Sequence, residues 1–182
     1  MLSRAVALTG ILLSLSACSL LPSGDEPLPA AGTDTTTLRT EPEVVDGWVI
    51  RDEPRSALGN PREYQVFGRT YRVMQQGGGH VETGLASWYG PDFHGAPTSS
   101  GEPYDMHALT AAHRHLPIPI FARVTHMDTG RSVVVRINDR GPFVGDERVI
   151  DLSYAAARRL GMVEQGLARV GIETLSRNLD TG

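Results

Sequence analysis

The sequence SVVVRINDRGPF occupies residues 132–143 and gives the strongest indication of the fold. Its three consecutive valines are β-branched, as expected for a strand that is buried on both faces. Gly141 and Pro142 then interrupt the strand with a turn. Asp139 therefore lies where a buried strand meets a turn, a position that partly shields a carboxyl group from water.

Further short strands are predicted on both sides of this segment. Apolar and β-branched residues predict strands at 83–89, 108–112, 120–126, 132–137 and 168–175, and Asp128-Thr129-Gly130 predicts a hairpin turn. Ser153 is a suitable helix N-cap and Gly161 a suitable C′ residue, so residues 154–160 are predicted to form a two-turn helix. Short strands with a single helix indicate a mainly β fold, a small barrel.

A second, smaller unit is predicted ahead of the barrel. Tyr64, Val66, Tyr71 and Val73 alternate around Gly68, a pattern typical of a hairpin. We assign residues 60–79 to this hairpin and a flexible joint, and residues 80–176 to the barrel domain. We expect residues 177–182 to be a C-terminal tail rather than a further glycan-binding domain.

The N-terminal residues have the features of a lipoprotein signal peptide. Arg4 precedes an apolar run that is too short to span a bilayer, and the run ends in Leu15-Ser16-Ala17-Cys18. Small residues before the single cysteine of the chain resemble a lipobox, in which the cysteine is lipidated. We therefore predict a signal peptide at 1–17 and lipidation of Cys18. The alternative is an ordinary signal peptide with a chance cysteine.

The segment after the cysteine is predicted to be a mostly disordered tether, residues 18–59. It is rich in proline, threonine and acids, a composition that does not support a packed core. Residues 19–47 contain six acids and one arginine, a net charge of −5, whereas residues 48–182 contain 15 acids and 15 arginines and are neutral. A neutral domain on an acidic tether argues against a nucleic-acid partner.

Candidate catalytic residues cluster between His94 and Asp139. Cleavage of a glycosidic bond needs an acid to protonate the leaving oxygen, and Glu102, Asp105 or Asp139 can supply it. His113 could orient a carboxylate or share a proton with it. The alternative is structural: Asp139 could instead pair with a neighbouring arginine or cap its turn, and the two loop acids could simply be solvated.

Histidines and aromatic residues in the same region allow two further interpretations. His113 and His115 could bind a metal, but no third ligand completes a known template, so we predict no metal and no cofactor. Trp88 and Tyr89 could stack on sugar rings. Adjacent strand residues point to opposite faces, so one of the two could instead lie in the core.

An ordered series of motifs resembles the rare lipoprotein A family, the septal ring lytic transglycosylases. The motifs are Ala86-Ser87-Trp88-Tyr89-Gly90, Phe93-His94-Gly95, Gly101-Glu102-Pro103-Tyr104-Asp105-Met106, Leu109-Thr110-Ala111-Ala112-His113, residues 133–143 and Asp151-Leu152-Ser153-Tyr154. The resemblance implies a six-stranded double-psi β-barrel with one or two short helices. It also implies a lyase that cuts the MurNAc–GlcNAc bond of peptide-poor peptidoglycan and leaves a 1,6-anhydro ring.

The resemblance assigns roles to particular residues. It makes Asp139 the general acid, with Glu102 and Asp105 contributing cleft electrostatics and substrate contacts, and His113 orienting a carboxylate. Trp88, Tyr89, His94 and Arg140 are expected to bind substrate. The loop with Ala96-Pro97 and Ser99-Ser100 departs from the family pattern.

Other functions remain open at this level. A non-catalytic, expansin-like peptidoglycan binder, a division scaffold and a hydrolase would be compatible with the same barrel, since one fold hosts many activities. The expected partners are glycan strands, the membrane through the lipid anchor, and cell-division proteins. Ser19 after the cysteine favours the periplasmic face of the outer membrane.

Overall fold

Six strands close into a barrel in this computed structural model, which describes residues 43–176 and 178–179. The barrel strands are β6 (Val81–Tyr89), β7 (Thr110–His113), β8 (Ile120–His126), β9 (Ser132–Asp139), β10 (Arg148–Ser153) and β11 (Ala168–Thr174). Five shorter strands precede them: β1 (Val44–Val45), β2 (Trp48–Val49), β3 (Glu53–Pro54), β4 (Glu63–Val66) and β5 (Arg69–Arg72). The predicted signal peptide, Cys18 and the tether up to residue 42 lie outside the described residues.

The order of strands around the barrel is β10-β6-β11-β8-β9-β7. β6 and β10 are parallel, as are β7 and β9, whereas the other four neighbouring pairs are antiparallel. The predicted mainly β fold with a closed six-stranded barrel is confirmed. Sequence-distant strands become neighbours, so residues from four different segments meet at one end of the barrel.

β9 is buried on both faces, as its valines predict. Val133, Val135 and Ile137 belong to the barrel core, and Val134 between them is also buried. Val134 lies on the outer face, beneath the N-terminal segment, where its backbone N–H donates to the Asp46 carboxylate at 2.8 Å. The strand is thus apolar on both faces because its inner face lines the core and its outer face packs beneath the N-terminal segment.

That cover is formed by residues 43–59, which the sequence assigned to a disordered tether. β1 pairs with β2, β3 pairs with the strand β12 (Asn178–Leu179), and the Trp48 ring packs edge-on against Phe121 with centroids 5.4 Å apart. Asp46 and Glu53 pair with arginines of the barrel domain. The composition of residues 43–59 is polar, and so it predicted disorder. The segment is ordered because its acids and its tryptophan contact residues that are distant in sequence.

The hairpin predicted ahead of the barrel is formed by β4 and β5. Tyr64 pairs with Tyr71 across the strands, and Phe67-Gly68 makes the turn with φ angles of 50° and 75°. These positive φ angles are those of a type I′ hairpin turn, in which glycine is favoured. In the joint that was expected to follow, residues 75–79, Gly77 is buried and a Cβ there would lie 2.5 Å from Ile120, whereas the other four residues are exposed.

One α-helix, α1 (Tyr154–Leu160), follows β10. The Ser153 hydroxyl accepts from the Ala156 N–H, and Gly161 adopts the left-handed conformation with φ of 76°, so both predicted caps are confirmed. A 3₁₀ turn, Pro91–Phe93, follows β6. Within residues 43–176, neither helical segment has the length and apolar character needed to cross a membrane.

Candidate active site

Two carboxyl groups face one cavity at the end of the barrel. Strand register places Asp139 of β9 opposite Ala112 of β7, Ala112 opposite Asp151 of β10, and Asp151 opposite Ser87 of β6. Residues opposite each other on neighbouring strands project to the same side of a sheet. In this register Ala112 lies between the two carboxylates, and both line a cavity of about 220 Å³. We call it the carboxylate cavity.

Asp139 is held through one of its two oxygens. Oδ1 accepts hydrogen bonds from the Ser99 N–H, the Ser99 hydroxyl and the Arg140 N–H, each at 2.7 Å. Within residues 43–176, Oδ2 has no hydrogen-bond partner, and neither Arg136 nor Arg140 forms an ion pair with this carboxylate. The carboxylate is thus fixed in direction, with one oxygen left for a ligand.

Asp151 has a carboxyl group that is largely shielded from water. Burial raises its pKa, a Ser87 hydroxyl bond and the Arg148 guanidinium at 3.4 Å partly oppose this rise, and the negative charge of Asp139 adds to it. Burial therefore favours the protonated form of this carboxyl group. It is the group best suited to hold a proton in this cavity.

Sequence reasoning missed Asp151 as a functional residue, although it belongs to a motif that supports the family resemblance. A signal was present. In the strand segment Arg148–Ser153, an acid stands between Ile150 and Leu152, both fully buried. Acids are rarely placed among buried apolar residues, so an acid at this position indicates a specific structural or functional role.

Glu102 lies outside the carboxylate cavity. Its carboxylate accepts from the Arg136 guanidinium at 2.8 and 2.9 Å and from the Asn138 amide at 2.8 Å, and it lines a separate groove with Glu53. Burial alone would raise its pKa, but the bonds from Arg136 and Asn138 outweigh burial and lower the pKa below its ordinary value. Glu102 is therefore an ionised anchor between its loop and β9, not a proton donor.

Asp105 and His94 form an exposed cluster on the loop before β7. The His94 Nδ1 lies 3.8 Å from the Asp105 carboxylate and accepts from the Met106 N–H at 3.2 Å. Neither side chain lines the carboxylate cavity, whereas Phe93 beside His94 does. The structure thus does not bring these two predicted residues to Asp139.

His113 is buried and orients a carboxylate that the sequence did not single out, that of Glu82 on β6. Its Nδ1 accepts from the N–H groups of His115 and Leu116, so the ring proton belongs on Nε2, which lies 3.0 Å from Glu82 Oε2. Burial lowers the pKa of His113, with Glu82 opposing, which agrees with a neutral ring. His80 makes a second bond to the same carboxylate oxygen at 3.1 Å.

His80, Glu82 and His113 are the one group among the described residues whose spacing could hold a metal ion. A metal on His113 Nε2 would force the ring proton onto Nδ1. There it would face two backbone N–H donors, so two hydrogen bonds would be lost inside the protein. The donor set therefore fits a metal poorly.

Tyr89 and Trp88 point to opposite faces of β6. Tyr89 lines the carboxylate cavity and packs on Tyr104, with ring centroids 4.1 Å apart. Trp88 packs against the barrel core and Tyr154, and its Nε1 donates to the Val163 carbonyl at 3.3 Å. The structure places Tyr89 for ligand contact and corrects the expectation for Trp88, because strand alternation directs the indole away from the cavity.

Arg140 borders the carboxylate cavity, but its donors are used inside the protein. The buried guanidinium donates to the carbonyls of Gly59, His113 and Leu116 and to the Asn60 amide oxygen. Burial lowers its pKa to about 10. Arg140 therefore fastens the segment before the hairpin to the barrel, a structural role where substrate binding was expected.

The barrel is similar in sequence to a known protein family and to several of its curated members. The family model described as lytic transglycolase matches residues 81–172. An endolytic peptidoglycan transglycosylase RlpA of Vibrio cholerae is 53% identical over 124 residues, which are 68% of this chain and 46% of that protein. The protein of the same description from Neisseria meningitidis serogroup A is 54% identical over 127 residues, 70% of this chain and 52% of that protein.

Among solved structures, the Streptomyces papain inhibitor matches with a TM-score of 0.42 and 22% identity, covering 53% of this chain and 96% of that one. The chain spans about half the length of the curated relatives it matches.

Proposed function

This chain belongs to the lytic transglycolase family with a double-psi β-barrel, and from that membership we propose that it is an endolytic peptidoglycan lyase. The proposed substrate is the MurNAc–GlcNAc bond of peptide-poor glycan strands, and the product carries a 1,6-anhydro end. The observation that carries the proposal is the pair of carboxyl groups, Asp139 and Asp151, in one cavity across Ala112.

The proposed reaction needs one proton donor and one proton acceptor. The Asp151 carboxyl group donates its proton to the glycosidic oxygen, and the bond from that oxygen to C1 of MurNAc breaks. Positive charge develops at C1, and the negative charge of Asp139 stabilises it. The 6-hydroxyl of the same sugar then bonds to C1 while its proton passes to Asp139. No water is consumed, so the second carboxylate does not have to hold one.

We assign the proton to Asp151 because its side chain lies on the cavity wall between the buried Ile150 and Leu152, and this burial raises its pKa. The family resemblance implied Asp139 instead. Asp139, with Oδ1 fixed by Ser99 and Arg140, presents Oδ2 to the substrate. Tyr89 provides an aromatic wall for a sugar ring.

Glu102 and His113 act as positioning residues in this proposal. Glu102 ties the loop that contains Ser99 to β9 through Arg136 and Asn138. The His113 carbonyl accepts a hydrogen bond from the Arg140 guanidinium, and this bond helps to fix the position of Asp139, the residue before Arg140. Asp105 and His94, on the exposed loop, have no direct part in the proton transfers.

Replacing either carboxyl group tests the proposal. We expect Asp139→Asn and Asp151→Asn each to lower the rate of strand cleavage by about 100-fold or more, the usual loss when an acid or base is removed. Asp128→Asn is the matched control, because Asp128 is exposed in the turn between β8 and β9, at the end of β9 opposite to Asp139. The measurement is mass spectrometry of products from amidase-stripped glycan strands.

The products decide between the alternatives. Anhydro-ended fragments from the wild type and the Asp128→Asn control support the lyase. Reducing ends would show a hydrolase, and strand binding without any fragments would favour the expansin-like binder. Full activity of a folded Asp151→Asn protein would remove Asp151 from the mechanism.

For the cellular setting we propose a lipid-anchored envelope protein. Lipidation of Cys18 would fix the chain at the periplasmic face of the outer membrane, within reach of the cell wall. Division proteins are proposed partners. Radiolabelled palmitate incorporation, lost in Cys18→Ala, tests the anchor.

A further inference from the structure

A second groove lies beside the carboxylate cavity. Its volume is about 320 Å³, and its lining includes Pro61, Tyr64 and Val66 of the hairpin segment together with Phe143. We call it the hairpin groove. It is largely apolar and open on one side, and its hairpin wall lies outside the 81–172 region that the family model matches.

The two spaces adjoin each other at the proposed catalytic carboxylate. Both are bordered by Arg140 and Phe143. Ser99 lines the hairpin groove and donates two hydrogen bonds to Asp139, which lines the carboxylate cavity. The hairpin groove therefore continues the carboxylate cavity, and a glycan strand bound at Asp139 could extend into it.

The hairpin wall of the groove is fixed to the barrel. The Tyr64 hydroxyl donates to the Arg114 carbonyl at 2.8 Å, and Tyr71 packs edge-on against Phe143 with centroids 5.5 Å apart. Tyr64 and Tyr71 stack on each other with centroids 5.3 Å apart. A wall held at several points can bind a ligand without first being ordered, which lowers the entropic cost of binding.

We propose that the hairpin groove is a sugar-binding subsite, which holds the strand on one side of the cleaved bond. The inference rests on the proposed function, because an enzyme that cuts inside a polymer must hold the polymer on both sides of the bond. The groove suits that ligand: Tyr64, Phe143 and Val66 offer apolar contact to the C–H face of a pyranose ring. The hairpin thus contributes one wall of the substrate site.

Adjacent residues of β4 supply a matched pair of variants. Val66 faces the groove, whereas Gln65 is exposed on the opposite face of the strand. Val66→Glu and Gln65→Glu therefore introduce the same charge one residue apart, the first inside the groove and the second outside it. In the groove the carboxylate would remove apolar contact and repel the lactyl carboxylate of MurNAc.

The experiment measures binding of amidase-stripped glycan strands to the full chain in detergent, with Asp139→Asn added to every variant so that strands stay intact. We expect Val66→Glu to weaken binding at least 10-fold and Gln65→Glu to change it less than twofold. Tyr64→Leu should also weaken binding about 10-fold. If Val66→Glu fails to fold, as judged by circular dichroism, Val66→Asn and Gln65→Asn replace the pair.

Failure of this inference can be told apart from failure of the proposed function. Equal, tight binding by both members of the pair, with cleavage by the wild type, would overturn the subsite and leave the lyase standing. Absence of both binding and cleavage in the wild type would overturn the lyase and the subsite together.

Discussion

At the scale of single residues, the carboxyl group of Glu82 has a strongly lowered pKa, and the effect of this shift on the stability of the fold can be measured. The hydrogen bond from His113 lowers its pKa most, burial opposes this effect, and His80 lowers the pKa further, from 4.5 to about 2. A carboxyl group with a lowered pKa in the folded state stabilises the fold above its unfolded pKa. This stabilisation is lost as the pH falls from 4.5 towards 2.

We therefore expect Glu82→Gln to lower the free energy of unfolding at pH 7, on the order of 2 kcal/mol after allowance for solvent screening. The difference from the wild type should shrink as the pH falls from 4.5 towards 2, because in this range the unfolded wild type takes up a proton at Glu82 that the folded protein takes up only near pH 2. Urea unfolding across this pH range is the measurement. Glu173→Gln, an exposed carboxylate on β11, is the control, and a Glu82→Gln difference that does not vary with pH would contradict the assignment.

The residue scale is also where the sequence was least informative about the site. Asp139 was recognised because it ends a conspicuous strand, but its partner Asp151 and the supporting Ser99 lie in segments that are distant in sequence. His113 was predicted to orient a carboxylate. Only the folded barrel, which brings the Glu82 carboxylate of β6 to 3.0 Å from His113 Nε2, identifies that carboxylate. Such pairs depend on strand order, which no local pattern encodes.

At the scale of elements, we expect the segment 43–59 to contribute to the stability of the fold. Glu53 is buried and accepts from the Arg136 guanidinium at 2.8 Å, and it also pairs with the exposed Arg51. We expect Glu53→Ala to lower the free energy of unfolding by about 1.5–3 kcal/mol, the usual value for a hydrogen bond to a charged group.

The control for this prediction removes the exposed partner of the same carboxylate. Arg51→Ala should cost less than about 1 kcal/mol, as is typical of surface ion pairs. Urea unfolding of the two variants measures both values. Equal effects of the two substitutions would mean that this segment does not contribute to the folded core.

Elements with a local signal were predictable. The capped helix Tyr154–Leu160 and β8 match their predicted limits, and β9 begins at Ser132 as predicted and ends two residues later than predicted. The short strands β1 to β3 have no such signal, because two-residue strands in a polar segment owe their order to tertiary contacts. Composition therefore indicated a tether up to residue 59, whereas the chain is already folded at residue 43.

At the scale of the whole molecule, the folded unit is larger than the barrel. Residues 43–79 contribute Trp48 against Phe121, Glu53 against Arg136, and the hairpin against Phe143. We expect a fragment of residues 80–182 to melt roughly 10 °C below a fragment of residues 43–182, since about 1 kcal/mol corresponds to several degrees in a domain of this size. Calorimetry measures both midpoints, and coincident midpoints would restrict the folded unit to the barrel.

The strand order of the barrel has a consequence for how the molecule is made. β6, the first barrel strand along the chain, pairs with β11, the last, from Val81 opposite Glu173 to Ala86 opposite Ala168. Contacts between such distant segments form slowly and only after the intervening chain is present. During synthesis the barrel therefore cannot close until residue 174 has left the ribosome, and until then β6 and β8, the two neighbours of β11, each lack a partner on one side.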